Sequence, residues 1–369
     1  MGHTTNDQGV YLMKGIILYG SFELAPYSKK YMNILEESGE KYDLIGWRRE
    51  EIPQYEGDNI YMYSGEAAKR YSSPIQKIKP ALGFRQYVKD IIKRKNYDGL
   101  VVLTTQTALM LCDVLLGRYK NKYIFDYRDR SYEYIAPYLA LVNKVIKSSA
   151  ETVISSPWFA DGLTDKKEYI KVHNFQNENL RFKKDAVIKK VSGERITVGY
   201  VGALRAYDYH KQLIDMFADD SRFEFHTYGC GDDTKRLAEY AANFSNTYVH
   251  GAYREADKYG IIDSFDIMCY NYPYSFVNDV AVANKYYDAL ITKKPMFVNQ
   301  KTKIGQFIQN NHMGVGIDQD ADLKESADKI FEWYRNFDAD LFAKECDLCL
   351  DGYIKDNELF ENRIKAITE

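Results

Sequence analysis

The sequence predicts an α/β protein of two doubly wound, Rossmann-like domains facing an interdomain cleft. Three observations carry this. Apolar strand-like runs alternate with helical stretches along nearly the whole chain. Several of those runs are continuously apolar, as strands covered on both faces of a parallel sheet are. A charged stretch near residues 176–194 interrupts the alternation, and the same pattern then begins again. A length of 369 residues suits two domains of about 150–200 residues each.

The first strand is "KGIILYG" (14–20), followed by a loop with Ser21, Pro26 and Tyr27 and the helical stretch "KKYMNILEESG". "YDLIGW" is the second strand. Then come "YDGLVVLT" (97–104), a helix over 105–117, "KYIFDYRD" (122–129), a helix over 132–149, "ETVISSP" (151–157), a short helix and "YIKVHNF" (169–175). The linker follows, with little apolar content and a Ser–Gly turn signal at its end. The second domain reads "ITVGYVGAL" (196–204), "FEFHTYG" (223–229), "NTYVHG" (246–251), "FDIMCYNY" (265–272), "KPMFVN" (294–299) and "MGVGID" (313–318), with helices between and a helical tail over 321–368. The expected boundaries are a leader or tag over 1–12, a first domain over 13–176, a linker over 177–194 and a second domain over 195–345. A terminal helix over 346–369 is expected to return to the first domain.

The net charge of −3 gives no electrostatic case for nucleic acid. The five cysteines are odd in number and scattered, which argues for a reducing compartment and against a disulfide framework. Cys346 and Cys349 form a C-x-x-C without a second pair, and the six histidines show no ligand spacing, so no metal site is expected. No apolar run is long enough for a membrane span, and the N-terminus has no signal-peptide pattern, so a cytoplasmic protein is expected.

In such sheets ligands bind outside the carboxyl ends of the strands, so chemistry is sought there. "GYVGALR" runs from the second domain's first strand into a loop. Gly202 allows backbone N–H groups to approach a phosphate, and Arg205 adds charge; tight strand–loop packing is the plainer reading. The spacing is not G-x-G-x-x-G, which lowers a dinucleotide oxidoreductase reading. "TYGCGDD" places Gly229 and Gly231 after another strand, either as a tight turn or as a loop bordering a nucleotide. In "VANKYYDAL", Asn284 reads as an N-cap and Lys285 as a first-turn residue. A lysine there opposes the helix dipole unless an anion lies near. Asp288 follows on the same face, where its carboxylate can accept from a ribose diol or simply be solvated.

"DYRD" places Asp126, Arg128 and Asp129 at the end of a first-domain strand, expected to point toward the cleft. They form either an ion-pair cluster or a general base, Asp126 or Asp129, held by its own partner. His173 ends the last first-domain strand, beside the linker. Residues 69–95 carry nine basic residues and one acidic residue, Asp90, among apolar ones. That stretch is either an amphipathic helix with a solvated basic face or a surface for an anionic membrane.

Taken in order, "GIILYG", "IFDYRD", "VISSPWFADGL", "VHNF", "ITVGYVGAL", "HTYGCGDD", "VHGAYREADKYGIIDSFDIMCY" and "NKYYDALITKKPMFVN" resemble the GT-B-fold glycosyltransferases, in particular bacterial group 1 (family 4-like) members of polysaccharide assembly. The resemblance spans roughly residues 14–365. It implies transfer of a sugar from a nucleoside-diphosphate donor, UDP favoured over GDP, to a glycan or lipid-linked sugar acceptor, without a metal or other cofactor. Gly202, with Arg205 or Lys211, would meet the donor diphosphate. Gly229 and Gly231 would border the base. Asp288 would bind the ribose, with Asn284 and Lys285 beside it. Gly20, Ser21 and Arg128 would contact the acceptor, and Asp129, Asp126 and His173 would serve catalysis. The sequence departs from the family at one place: eight residues before Asp288, where many retaining members carry a glutamate, stands Val280. A sugar-nucleotide epimerase of the same fold and a catalytically silent binding subunit are the alternatives.

Overall fold

The computed structural model describes residues 13–48, 55, 57–66, 74–165, 167–183 and 195–368. The leader over 1–12, the end of the linker from 184 to 194, and residues 69–73 of the basic stretch lie outside the described residues. The chain divides into two compact units, one running to His173 and resuming at Asp356, the other Asn174–Lys355.

The first unit contains β1 (Met13–Leu18), α1 (Ser28–Glu37), β2 (Lys41–Trp47), β3 (Ile60–Tyr63), α2 (Pro74–Lys95), β4 (Gly99–Leu103), α3 (Thr105–Met110), α4 (Cys112–Leu116), β5 (Tyr123–Tyr127), α5 (Ala136–Ser148), β6 (Glu151–Ile154) and β7 (Tyr169–Lys171). Its seven strands are parallel in the order β3-β2-β1-β4-β5-β6-β7. The order reverses between β1 and β4, so the switch point lies at their carboxyl ends. β1, β4 and β5 are almost wholly buried, in keeping with their apolar runs.

Three local expectations are corrected. β3 was not foreseen: its four residues pair with β2 at the sheet edge. The helix expected over 105–117 is two helices that meet at Leu111. The helix expected from 132 begins at Ala136, with a proline in its first turn where a missing N–H costs nothing.

The second unit contains β8 (Ile196–Val201), α6 (Tyr207–Phe217), β9 (Phe223–Tyr228), α7 (Thr234–Ala241), β10 (Thr247–Gly251), α8 (Lys258–Asp263), β11 (Ile267–Tyr270), α9 (Asn284–Thr292), β12 (Met296–Asn299), α10 (Lys303–Asn310), β13 (Gly314–Ile317), α11 (Leu323–Asn336) and most of α12 (Ala339–Thr368). Its six parallel strands run β10-β9-β8-β11-β12-β13, reversing between β8 and β11. From Asp356 onward, α12 belongs to the first unit. There Phe360 and Ile364, essentially without exposed surface, join the cluster of Ile16, Tyr31, Leu35 and Val101. Arg363 pairs with Glu151 at 2.6 Å. The helix expected to begin at 346 thus starts seven residues earlier, at Ala339.

Candidate functional site

The second unit gathers its polar side chains at the switch point. β8 ends at Val201, and Gly202 turns the chain with φ +150°. Its amide donates to the Tyr228 carbonyl (2.9 Å), which ties the end of β8 to the end of β9. Side chains are excluded from the next loop: a Cβ on Gly229 would stand 1.7 Å from the Gly202 carbonyl oxygen, and one on Gly231 would stand 2.1 Å from that of Leu204. Both glycines are required by close backbone approach, so the two loops form one bare backbone surface.

Lys285 enters this surface from α9. It is 7% exposed, and its Nζ lies 3.6 Å from where a Cβ on Gly202 would stand. The ring of Tyr200 lies 3.6 Å from Nζ and that of Tyr272 4.8 Å. Burial works against the charge, but the two tyrosines raise the net pKa of the ammonium above the usual lysine range. The Tyr272 and Tyr200 hydroxyls are its polar neighbours, neither forms a well-aligned hydrogen bond with Nζ, and no carboxylate pairs with it among the described residues. Beneath the same loop, His210 is buried edge-on to Tyr200 at 4.9 Å. Burial and the Lys285 charge push its pKa down to about 4, so it is neutral at pH 7.

The other expected donor residues fall at varied distances from this centre. Arg205 is exposed on the loop between β8 and α6. Lys211 sits on α6 and is turned toward α7, where it bonds Asp215 at 2.6 Å and faces the Tyr240 ring at 4.5 Å. That pairing commits its ammonium away from the Gly202 loop. Asn284 is not the N-cap of α9: Ala283 holds that position without a side-chain cap, and Asn284 is the first helical residue. The helix start is instead fixed by Tyr270, whose hydroxyl accepts from the Ala283 amide at 2.8 Å.

Asp288 is buried on α9. Its Oδ1 accepts from the Tyr259 hydroxyl at 2.8 Å and lies 3.3 Å from the Lys258 ammonium. Burial raises its carboxyl pKa, and Lys258 opposes the shift. Tyr259 is in turn held by the Phe182 ring, stacked at 4.3 Å. Val280 has no exposed surface, so the position where the family pattern calls for a carboxylate faces the interior.

In the first unit, Asp126 and Arg128 form a buried pair. Arg128 contacts both carboxylate oxygens, at 2.9 and 3.0 Å, and lies 3.7 Å over the Tyr27 ring. Tyr31 donates to Asp126 at 2.8 Å. Asp126 has no exposed surface and Arg128 is 4% exposed. The expectation that both point outward as base and acceptor ligand is therefore corrected, because their charges satisfy each other inside the fold. Asp129 alone of the three keeps exposed surface. Its surroundings still desolvate the carboxyl enough to raise its pKa, against the pull of Arg128. His173 is buried; its Nε2 lies 3.0 Å from Asp356, and its amide donates to Asn357 at 2.7 Å. Ser21 donates to Glu23, and Gly20 accepts from the Trp47 amide. Among the basic side chains of α2, Arg85 and Lys89 pair with Asp113, and Lys95 lies 3.4 Å from Asp43.

Tyr200, Tyr272, His210, Lys258 and Tyr259 escaped the sequence reading. They come from four separate stretches, β8, α6, α8 and the segment after β11, and no spacing links those stretches to one another. Among the described residues, no group of three or more histidine, cysteine, aspartate or glutamate side chains could hold a metal ion. No helix there is long and apolar enough to cross a membrane.

No protein-family model matches the chain, and no curated relative does. Solved structures do resemble it. The chain is similar to sucrose-phosphate synthase from Thermosynechococcus elongatus (TM-score 0.62, 11% identity, 97% of this chain and 95% of that one). A glycosyltransferase from Rickettsia africae has a TM-score of 0.61 and 15% identity over 98% and 99% of the two chains. The Anabaena protein HepE, in complex with UDP and glucose, has a TM-score of 0.63 and 10% identity over 96% and 100%. With two parallel, doubly wound sheets and these neighbours across nearly its whole length, the chain has the GT-B fold.

Proposed function

We propose that the protein is a glycosyltransferase. In this reading a sugar passes from a nucleoside-diphosphate donor to a glycan or lipid-linked sugar acceptor, in the synthesis of a cell-surface polysaccharide. The observation that carries the reading is the buried Lys285 ammonium, without an anionic partner among the described residues, against the bare Gly202 loop. An anionic oxygen is the partner such a group lacks. In the transfer, the bond from the anomeric carbon to the phosphate oxygen breaks and one to an acceptor oxygen forms. Negative charge develops on the diphosphate, and Lys285 with the first turn of α9 would stabilise it without a metal.

Asp288 would accept from the ribose through the carboxylate oxygen that Tyr259 does not hold. Asp129 would meet the acceptor hydroxyl as base, its raised pKa bringing it toward the working range of such a group. UDP is favoured as the nucleotide because HepE, of like fold, was crystallised with it. Contact with an anionic membrane would run through α2, and sedimentation with anionic vesicles checks it.

Thermal shift and calorimetry with UDP, GDP, CDP, TDP and NAD test the reading. We expect one nucleoside diphosphate to bind, with EDTA making no difference, and Asp288→Ala to weaken it by about 1–3 kcal/mol. Binding of NAD alone overturns the proposal. Nucleotide binding with sugar turnover but no acceptor requirement would point to an epimerase, and binding without any turnover to a silent subunit.

A further inference from the structure

Asn271 is the polar residue at the second sheet's switch point that the reading above leaves unused. It follows β11 directly, one residue before Tyr272, whose ring faces the Lys285 ammonium at 4.8 Å. The Cys269 thiol senses the Lys285 charge and is reached by the Asn271 backbone N–H and the Tyr209 hydroxyl. The Tyr209 hydroxyl also donates to the Asn271 carbonyl, which fixes this end of the strand against α6. Asn271 and Lys285 therefore lie at the same end of β11, with Cys269 and Tyr272 as common neighbours.

Asn271 is 8% exposed, and its side-chain oxygen has no hydrogen-bond donor; Lys285 has only tyrosine hydroxyls near it and no well-formed hydrogen bond. Each orphan is what the other lacks, since an ammonium donates and an amide oxygen accepts. Within reach they would satisfy each other. They are held apart instead, and a buried polar group left unpaired weighs against the fold. A single group that met both would present an anionic oxygen to Lys285 and an O–H to Asn271. A phosphorylated sugar has both.

We infer that Asn271 accepts a hydrogen bond from a hydroxyl of the transferred sugar, while Lys285 holds the adjoining phosphate. Asn271 is then a specificity-determining residue of the donor site. This rests on the donor-site reading above, and the experiment separates the two. Affinities of UDP, UDP-glucose, UDP-galactose, UDP-N-acetylglucosamine, GDP and GDP-mannose are measured by calorimetry for the native protein, Asn271→Ala and Asn271→Ser.

The native protein is expected to bind at least one nucleotide-sugar more tightly than its free diphosphate. Asn271→Ala should lose that margin, about tenfold, with affinity for the free diphosphate unchanged. Asn271→Ser, which keeps a short acceptor, should recover part of it and stands in if the alanine variant does not fold. If the native protein binds neither diphosphates nor nucleotide-sugars, the donor-site reading itself fails. If it binds them and the variants keep the full sugar margin, or lose sugar and diphosphate affinity alike, the assignment of Asn271 is overturned and the donor site stands. A native protein with no sugar margin overturns it too.

Discussion

At Lys285 an ammonium lies buried against two tyrosines with no anionic partner among the described residues. A methionine of similar length would fill the same space without the desolvation penalty. Lys285→Met should therefore raise the melting temperature of the unliganded protein and abolish the shift produced by a nucleoside diphosphate. A fall in melting temperature would mean that the ammonium is satisfied within the fold. The sequence brought Lys285 and Asp288 together by helical spacing and flagged the lysine from its conflict with the helix dipole. It could not show Tyr200 and Tyr272, because those rings come from the ends of two other strands. Nor could it show that Asp288 is shared with Lys258 and Tyr259, which precede it by about thirty residues. The misread Asn284 has a similar cause: the cap of α9 is supplied by chain direction and Tyr270, not by the side chain best suited to capping.

Among the elements, β9 and β10 carry a feature that alternation alone does not reveal. His226 Nδ1 and His250 Nε2 lie 3.0 Å apart. With ring planes 5° apart and centroids separated by 5.2 Å, the two imidazoles meet edge to edge, one N–H donating to the other's lone pair. Tyr248 stacks on His226 and Tyr228 on His250, at 4.7 and 4.1 Å. Glu224, held by Arg195, faces His226 from the far side at 3.7 Å. Burial lowers the pKa of both histidines, and for His250 the neighbouring His226 adds to the effect; Glu224 opposes the shift at His226.

For a base whose folded pKa is depressed, the unfolded chain binds more protons in the window below the ordinary value of about 6.5. Stability is then full above that value and falls as the pH drops through the folded values. Melting temperatures of the native protein should decline from pH 7 toward pH 5, and His250→Asn should flatten the decline. Equal slopes in both proteins would remove the pair from the account. The strands themselves were legible because parallel, doubly covered strands are continuously apolar. The exception, β3, is a run of only four residues at the edge of its sheet, too short to establish a period of its own.

On the scale of the molecule, the two-domain division was legible from the charged break near residue 176 and the renewed alternation beyond it. The end of the chain was legible only in part. A helical tail could be read, but not that Phe360 and Ile364 would complete the first unit's core. Phe360→Ala, at a site with no exposed surface, should cost about 3–5 kcal/mol. Urea unfolding followed by tryptophan fluorescence can assign the loss, since Trp47 and Trp158 lie in the first unit and Trp333 in the second. A loss confined to the Trp333 signal would contradict the placement of the last turns.

The same arrangement bears on the order of events during synthesis. Domains ordinarily fold from the N-terminus as they emerge. Here the chain from Asn174 to Lys355 is made in full before Phe360 and Ile364 exist to close the core begun by Ile16 and Tyr31. The half that is translated first is therefore the half that finishes last, and until then it waits with an apolar face uncovered for a chaperone or a neighbouring nascent chain to meet.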